Sequence, residues 1–316
     1  MNPNDRELVL AAVTNNGYVL EDASPELQSD REIVLAAVTN NGYVLQIVSA
    51  ELRDDREIVL AAVNSRGTAL RDASPELKAD REVVLAAVNN TYGEHNIGYA
   101  IEYASPELRY DREVVLAAVN NSGHTLQYAS PELRSDREVV MAAVNNTGLA
   151  LEYASPELRS DRVVVLTAVN NNGYALKDAS AELRSDREVV MAAVNNNGFL
   201  RYNTRQALQY ASPELKADRE VVLTAFYNTQ YALQYASLEL RSELKDKTRD
   251  EIRILLQQER QNRQNRQNPQ LGQFRERLRR GEIQTPEPRL SREQRRQIYQ
   301  EKERQFDDMQ GGGFDF

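Results

Sequence analysis

Asp136-Arg-Glu-Val-Val-Met-Ala-Ala-Val-Asn-Asn-Thr-Gly-Leu-Ala-Leu-Glu-Tyr-Ala-Ser-Pro-Glu-Leu-Arg-Ser160 is one complete copy of a unit that the chain writes again and again. Asp136 has the form of an N-cap, because a carboxylate accepts from the first free backbone N–H groups and suits the positive helix end. Glu138 adds a favourable negative charge in the first turn. Residues Val139 to Val144 are apolar on nearly every side, as in a helix held between two copies of itself. Asn145, Asn146 and Gly148 follow, and the glycine reads as the left-handed residue that ends this helix A. A shorter helix B is predicted over about 149–154, with Leu151 and Ala154 three apart and facing inward. Ser155-Pro156-Glu157-Leu158 is a fresh start signal. Asp161 already caps the next helix A, so this element has room for one 3₁₀-like turn anchored by Leu158.

The opening aspartates are Asp5, Asp30, Asp55, Asp80, Asp111, Asp136, Asp161, Asp186 and Asp218, spaced by 25, 25, 25, 31, 25, 25, 25 and 32 residues. A fixed period in this range marks a stacked array in which each unit buries its apolar face against its neighbours. The Val-Val-Leu runs also have strand propensity, and solenoids of stacked strands exist. The aspartate cap, the Ala-Ala pair and the glycine stop favour helix, and two-residue alternation is missing. The expected fold is therefore all-α: an α-solenoid of nine roughly 25-residue repeats over residues 5–242. Repeat nine is degraded as a terminal repeat should be, with Phe226, Tyr227 and Gln230 in place of Val, Asn and Gly.

The 316 residues contain no cysteine, which removes disulfides and thiolate metal sites. No basic leader or long apolar run is present, so neither a cleaved signal peptide nor membrane insertion is expected. That points to an intracellular place, in the cytoplasm or within a virion or other complex. The net charge is −9, but residues 243–316 carry 17 Lys/Arg against 14 Asp/Glu. The repeat region is thus strongly acidic and repels phosphate backbones, which leaves nucleic acid as a partner only for the tail.

The string Asp-Arg-Glu-Val-Val-Leu-Ala-Ala-Val-Asn-Asn-Asn-Gly-Tyr-Ala-Leu-Gln-Tyr-Ala-Ser-Pro-Glu-Leu resembles the repeat known as domain of unknown function 4116. The resemblance covers residues 5–242. It implies tandem helical repeats and no activity.

Copies differ mainly in helix B. The residue after the glycine is Tyr18, Tyr43, Thr68, His124, Leu149 or Tyr174, and four residues further come Asp22, Ile47, Asp72, Tyr128, Tyr153 and Asp178. Tyrosines accumulate at the latter position from repeat four onward: Tyr103, Tyr128, Tyr153, Tyr210 and Tyr235. An exposed tyrosine stripe suits protein binding, since it offers large contact area at little entropic cost. The structural alternative is a ladder of tyrosines packed between neighbouring B elements. Two insertions fall at one site between helices A and B, and therefore at one edge of the array. One, residues 91–98, contains Tyr92, His95 and Ile97; the other, residues 199–205, contains Leu200, Tyr202 and Arg205. Insertions confined to one edge mark either a binding face or neutral loop expansion.

No catalytic set can be assembled. His95 and His124 are the only histidines and have no metal-ligand spacing around them. The repeated Asp-Arg-Glu reads as capping and inter-repeat ion ladders. No enzyme activity, cofactor or metal is expected. After Ser242 the period stops. Residues 243–260 read as a capping helix with Leu244, Ile252, Leu255 and Leu256 as its apolar edge, and 261–316 as an extended, partly helical arm. This arm contains a basic cluster of Arg275, Arg277, Arg279 and Arg280, and ends in a glycine hinge before Phe314 and Phe316, a candidate peptide plug. It is expected to stay solvated, dock on protein, or touch nucleic acid. The sequence as a whole points to a non-enzymatic scaffold or adaptor that binds other proteins in a larger assembly. The alternative is a secreted effector or nucleic-acid-associated protein using the basic arm.

Overall fold

The computed structural model describes residues 2–90, 99–196 and 206–267, with Gln273, Arg277 and Arg280 beyond them. Two compact units are distinguished, residues 1–257 and 258–316. The first holds all nine repeats, and no strand occurs among the described residues. Each helix A is nine or ten residues long, from Arg6–Asn15 in repeat one to Arg219–Asn228 in repeat nine. Consecutive A helices pack against each other, and consecutive B elements do the same beside them.

One interface, repeated, makes the core. In helix A of repeat six, Val139, Val140, Ala143 and Val144 are fully buried, while Met141 and Ala142 are only half covered. These four positions lie on one broad face of the helix, wider than a narrow amphipathic stripe, and the partly covered Met141 and Ala142 lie on the other side. Burying a valine or leucine completely is worth roughly 1.5–3 kcal/mol. This core therefore outweighs the polar rungs described next.

Three polar ladders fix the register. Asp30 divides its carboxylate: Oδ1 accepts from the backbone of Glu32 and Ile33 at its own helix start, and Oδ2 accepts from Arg6 Nε of the preceding repeat at 2.8 Å. Arg6 also reaches Glu32. The pattern recurs as Arg31 on Asp55 and Glu57, Arg112 on Asp136 and Glu138, and Arg162 on Asp186 and Glu188. At the far end of helix A, Asn171 Nδ2 donates to the Asn145 carbonyl at 2.8 Å, and its Oδ1 accepts from Gly148 N–H at 2.7 Å. Along the turn side, Ser155 N–H donates to the Arg134 carbonyl at 2.9 Å and Ser180 N–H to that of Arg159 at 3.0 Å.

Helix B is present and starts one residue earlier than expected. It is a 3₁₀ helix beginning at the glycine, as in Gly148–Tyr153 and Gly173–Asp178. A 3₁₀ helix has three residues per turn, so the buried Gly148, Leu151 and Ala154 fall on one side. The tighter winding also rises about 2 Å per residue against about 1.5 Å for an α-helix, so six residues reach further across the repeat.

The glycine itself is also reinterpreted. None of the six described array glycines lies in the left-handed region; helix A ends instead on an extended residue such as Thr147, at φ −146° and ψ 109°. A Cβ on Gly148 would stand 2.3 Å from the carbonyl oxygen of Ala168 in the next repeat. Close approach of two backbones, not a positive φ, demands glycine here. Gln230 takes this place in repeat nine, which has no further repeat stacked on it.

The Ser-Pro-Glu-Leu element is a single turn that varies in winding. It is α-helical at Pro25–Gln28, Pro75–Lys78 and Pro213–Lys216, and 3₁₀ at Leu133–Ser135 and Leu158–Ser160. In repeat nine it lengthens into the helix Leu238–Leu244. The segment expected as one helix over 243–260 is broken after Leu244 and resumes as Arg249–Gln267. The restart is a capping box: Thr248 N–H donates to Glu251 Oε2 at 2.8 Å, and Glu251 N–H donates to Thr248 Oγ1 at 3.3 Å. Leu244, Ile252 and Leu256 are buried in the common core, and Leu255 packs against it. In the second unit the described residues continue this helix to Gln267.

Candidate interaction surface

The five tyrosines singled out by sequence, Tyr103, Tyr128, Tyr153, Tyr210 and Tyr235, occupy one position of the B elements, and all are half-buried against the core. Three of them, Tyr128, Tyr153 and Tyr210, meet an aromatic residue from a second row of the B elements. Tyr99 stands edge-to-face on Tyr128 at 6.4 Å, His124 on Tyr153 at 6.4 Å, and Tyr174 on Tyr210 at 5.4 Å. The residue after the glycine in one repeat thus packs on the fifth residue past the glycine in the next. The signal was present in the numbering: Tyr99 to Tyr128 and His124 to Tyr153 are both one period plus four residues.

These rings are more than spacers. Tyr210 donates its hydroxyl proton to Tyr174 Oη at 3.0 Å. Burial, assisted by the Tyr174 hydroxyl, pushes the Tyr210 phenol up to about 12. Burial and the neighbouring Glu102 carboxylate push Tyr128 up to about 12 as well. Tyr153 is raised by burial and by Glu152. Each phenol holds its proton past the ordinary tyrosine value, Tyr128 and Tyr210 to about 12, and offers a neutral hydroxyl at the edge of an apolar ring.

A charged cluster interrupts the tyrosine row in repeat seven. Lys177 Nζ lies 2.9 Å from Asp178 Oδ1 and 3.0 Å from Glu152 Oε2, and 5.9 Å from the centre of the Tyr174 ring. Burial alone would lower the lysine, but its two carboxylate partners hold it above its ordinary value. Burial raises the Asp178 carboxyl, and Lys177 only partly offsets this. Nearer the other end, the Arg66 guanidinium sits over the Tyr43 ring at 3.9 Å. The B face therefore changes character along the array while its backbone does not.

The other residues named from sequence divide by location. Tyr92, His95, Ile97, Leu200, Tyr202, Arg205, Arg275, Arg279, Phe314 and Phe316 lie outside the described residues. Arg277 and Arg280 are exposed. Among the described residues no group of three or more His, Cys, Asp or Glu is placed to hold a metal ion, and no helix is long and apolar enough to cross a membrane.

Neither curated proteins nor solved structures gave a match to this chain. One family did, described as a domain of unknown function (DUF4116), at residues 5–53, 55–109, 94–134, 111–159, 136–184, 161–203 and 186–241. Six of the seven matches start at a capping aspartate (Asp5, Asp55, Asp111, Asp136, Asp161 and Asp186), and together they span residues 5–241. The chain belongs to the DUF4116 repeat family.

Proposed function

We propose that this chain is a non-enzymatic scaffold or adaptor, a protein-binding component of a larger assembly such as a virion or an organellar complex. It would hold its partners by the B face, the two inserted loops and the C-terminal arm. The observation that supports this reading is a division of labour among side chains. The residues that recur in the repeats have partners within the stack: Asp and Arg in the ion ladder, Asn in the amide ladder, Gly in the close approach, Val, Ala and Leu in the core. What varies lies at the rim of the B elements, where tyrosines, Lys177, Asp178 and Arg66 succeed one another. A fixed frame with a variable face is how solenoids present extended binding surfaces, and amphipathic tyrosines suit such a face.

The test compares quantitative capture of partner proteins by the full chain, by a Tyr128→Ser/Tyr153→Ser variant, and by a chain ending after Gln267, which keeps the capping helix. A set of proteins lost with either change, at unchanged helical content, supports the reading. If the captured set is the same for all three, the B face and the arm are not binding surfaces. Capture that disappears on nuclease treatment and falls steeply with salt assigns the arm to nucleic acid instead.

A further inference from the structure

The stacking interface occurs eight times inside the array, and one side of it is also displayed at an end. In repeats two to nine the third residue after the capping aspartate is completely buried: Ile33, Ile58, Val83, Val114, Val139, Val164, Val189 and Val221 are all 0% exposed. Its counterpart in repeat one, Leu8, is 52% exposed. Ala12 and Val19 are likewise half-exposed, where Ala37 and Val44 are buried. A capping face ordinarily turns polar residues outward. This face keeps its leucine.

The polar rungs of repeat one are open on the same side. Asp5 caps its own helix through Leu8 N–H, but among the described residues no cation pairs with Asp5 or with Glu7. One repeat on, Asp30 and Glu32 share Arg6. Asn15 turns its amide back onto the Ala11 carbonyl of its own helix at 2.9 Å, whereas Asn40 reaches across to the Thr14 carbonyl at 3.1 Å. Only the turn-side rung is filled, by the Pro3 carbonyl, which accepts from Ser24 N–H at 3.0 Å.

The opposite end is closed. Arg219, the arginine that would serve a tenth repeat, is held by both carboxylate oxygens of Glu243 at 2.5 and 2.6 Å. Leu244, Ile252 and Leu256 are buried there. A second copy in this capped state therefore has no free trailing face, and a head-to-head pair supplies no arginine for Asp5 and Glu7. The missing half of the interface is a trailing face: an arginine one residue past a helix cap, with valines four and eight residues past it, as in Arg6, Val9 and Val13.

We propose that the leading face of repeat one, Leu8, Ala12 and Val19 with Asp5 and Glu7, is a docking surface for the uncapped trailing face of a further helical repeat array of this kind. The array then continues across the junction with the contacts it already makes eight times internally.

The probe is a cap-opened copy of the full chain, Glu243→Arg with Ile252→Asp and Leu256→Asp, which frees the trailing face of repeat nine. In sedimentation velocity the wild-type chain stays a single small species, while the cap-opened copy forms end-to-end oligomers. Excess wild-type chain shortens these, because it accepts a repeat but offers none. Adding Leu8→Glu or Glu7→Arg to the cap-opened copy weakens association at least about tenfold, with its circular dichroism unchanged. The absence of native cysteine gives a second readout: thiol labelling of a Leu8→Cys chain slows when the probe is added. A cap-opened copy that keeps its helical signal yet stays monomeric overturns the proposal, as do oligomers indifferent to Leu8→Glu. Wild-type chain that dimerises through Leu8 overturns the assigned occupant. If the triple variant loses its helical signal, Glu243→Arg with Leu256→Asp carries the comparison. If that pair neither associates nor protects Leu8→Cys from labelling, the proposal is overturned as well.

Discussion

Gly148 and Ala168 approach so closely that a methyl group on the glycine would stand 2.3 Å from the alanine's carbonyl oxygen. That contact joins the 3₁₀ element of repeat six to helix A of repeat seven, and five other array glycines make its equivalent. Gly148→Ala is expected to push the two repeats apart and to cost about 1–3 kcal/mol, the range for overpacking a filled site. Gln230→Ala, at the same position in repeat nine, should be nearly neutral. Hydrogen exchange in the flanking A helices checks this. Equal protection in the two variants would count against the close-approach account.

The amide ladder gives a second expectation. Asn171→Ala removes both the acceptor for the Gly148 N–H and the donor to the Asn145 carbonyl. Gly148 is buried, so its N–H loses its partner away from water, at a cost of about 1–3 kcal/mol. Asn171→Asp keeps the acceptor and should recover part of the loss. Thermal unfolding of the two variants under identical conditions reads the difference. It should be followed by more than one probe, because arrays of this length need not unfold in two states.

Acid should loosen the ion ladder. The Arg6 guanidinium holds the Asp30 carboxyl below its ordinary range, and Arg31, Arg56, Arg81 and Arg137 do the same for Asp55, Asp80, Asp111 and Asp161. A carboxyl whose folded-state pKa is depressed contributes stability that is complete above its unfolded value, about 3.9. That contribution is lost as pH falls through the folded value. Denaturation midpoints should therefore be flat from neutral pH down to about 5 and drop below about 4. A flat profile down to pH 2 would mean that the rungs contribute nothing.

Alkaline titration tests the paired tyrosines. Tyr128 and Tyr210 are pushed up to about 12 by burial and by their neighbours Glu102 and Tyr174. Unfolded tyrosine ionises near about 10, so their contribution is complete below that pH and is lost as pH rises through 12. Absorbance at the phenolate band should show a late-ionising fraction. Tyr128→Phe and Tyr210→Phe should each reduce it. A single transition near 10 in the folded protein would contradict the packing seen for both rings.

The capping aspartate, the apolar helix A and the turn at Ser-Pro-Glu-Leu are legible from one copy, because their signals are local. Asp136 caps the backbone N–H groups of Glu138 and Val139, two and three residues on, and Val139, Val140, Ala143 and Val144 are buried against the neighbours. The arginine ladder is legible from repetition, since one Asp-Arg-Glu per repeat can be satisfied only between copies. The winding of the B element is not legible locally, because Leu151 and Ala154, three apart, fit either an α or a 3₁₀ helix over so short a span. Including Gly148 among the inward residues makes the period three clear. The meeting of Tyr99 with Tyr128 escaped because it joins different positions of different repeats.

Sequence by itself determined the repeat, its period, its helical class and the family to which it belongs, for these follow from caps, apolar runs and self-similarity within about 25 residues. Tertiary structure alone decided why each glycine is glycine and which tyrosines touch. It also decided that one end is sealed by Glu243 and Leu244 while the other leaves Leu8 uncovered. Those are properties of a second repeat placed against the first. A Cβ too close to a carbonyl oxygen, or a carboxylate without its arginine, exists only once two segments far apart in the chain share a surface.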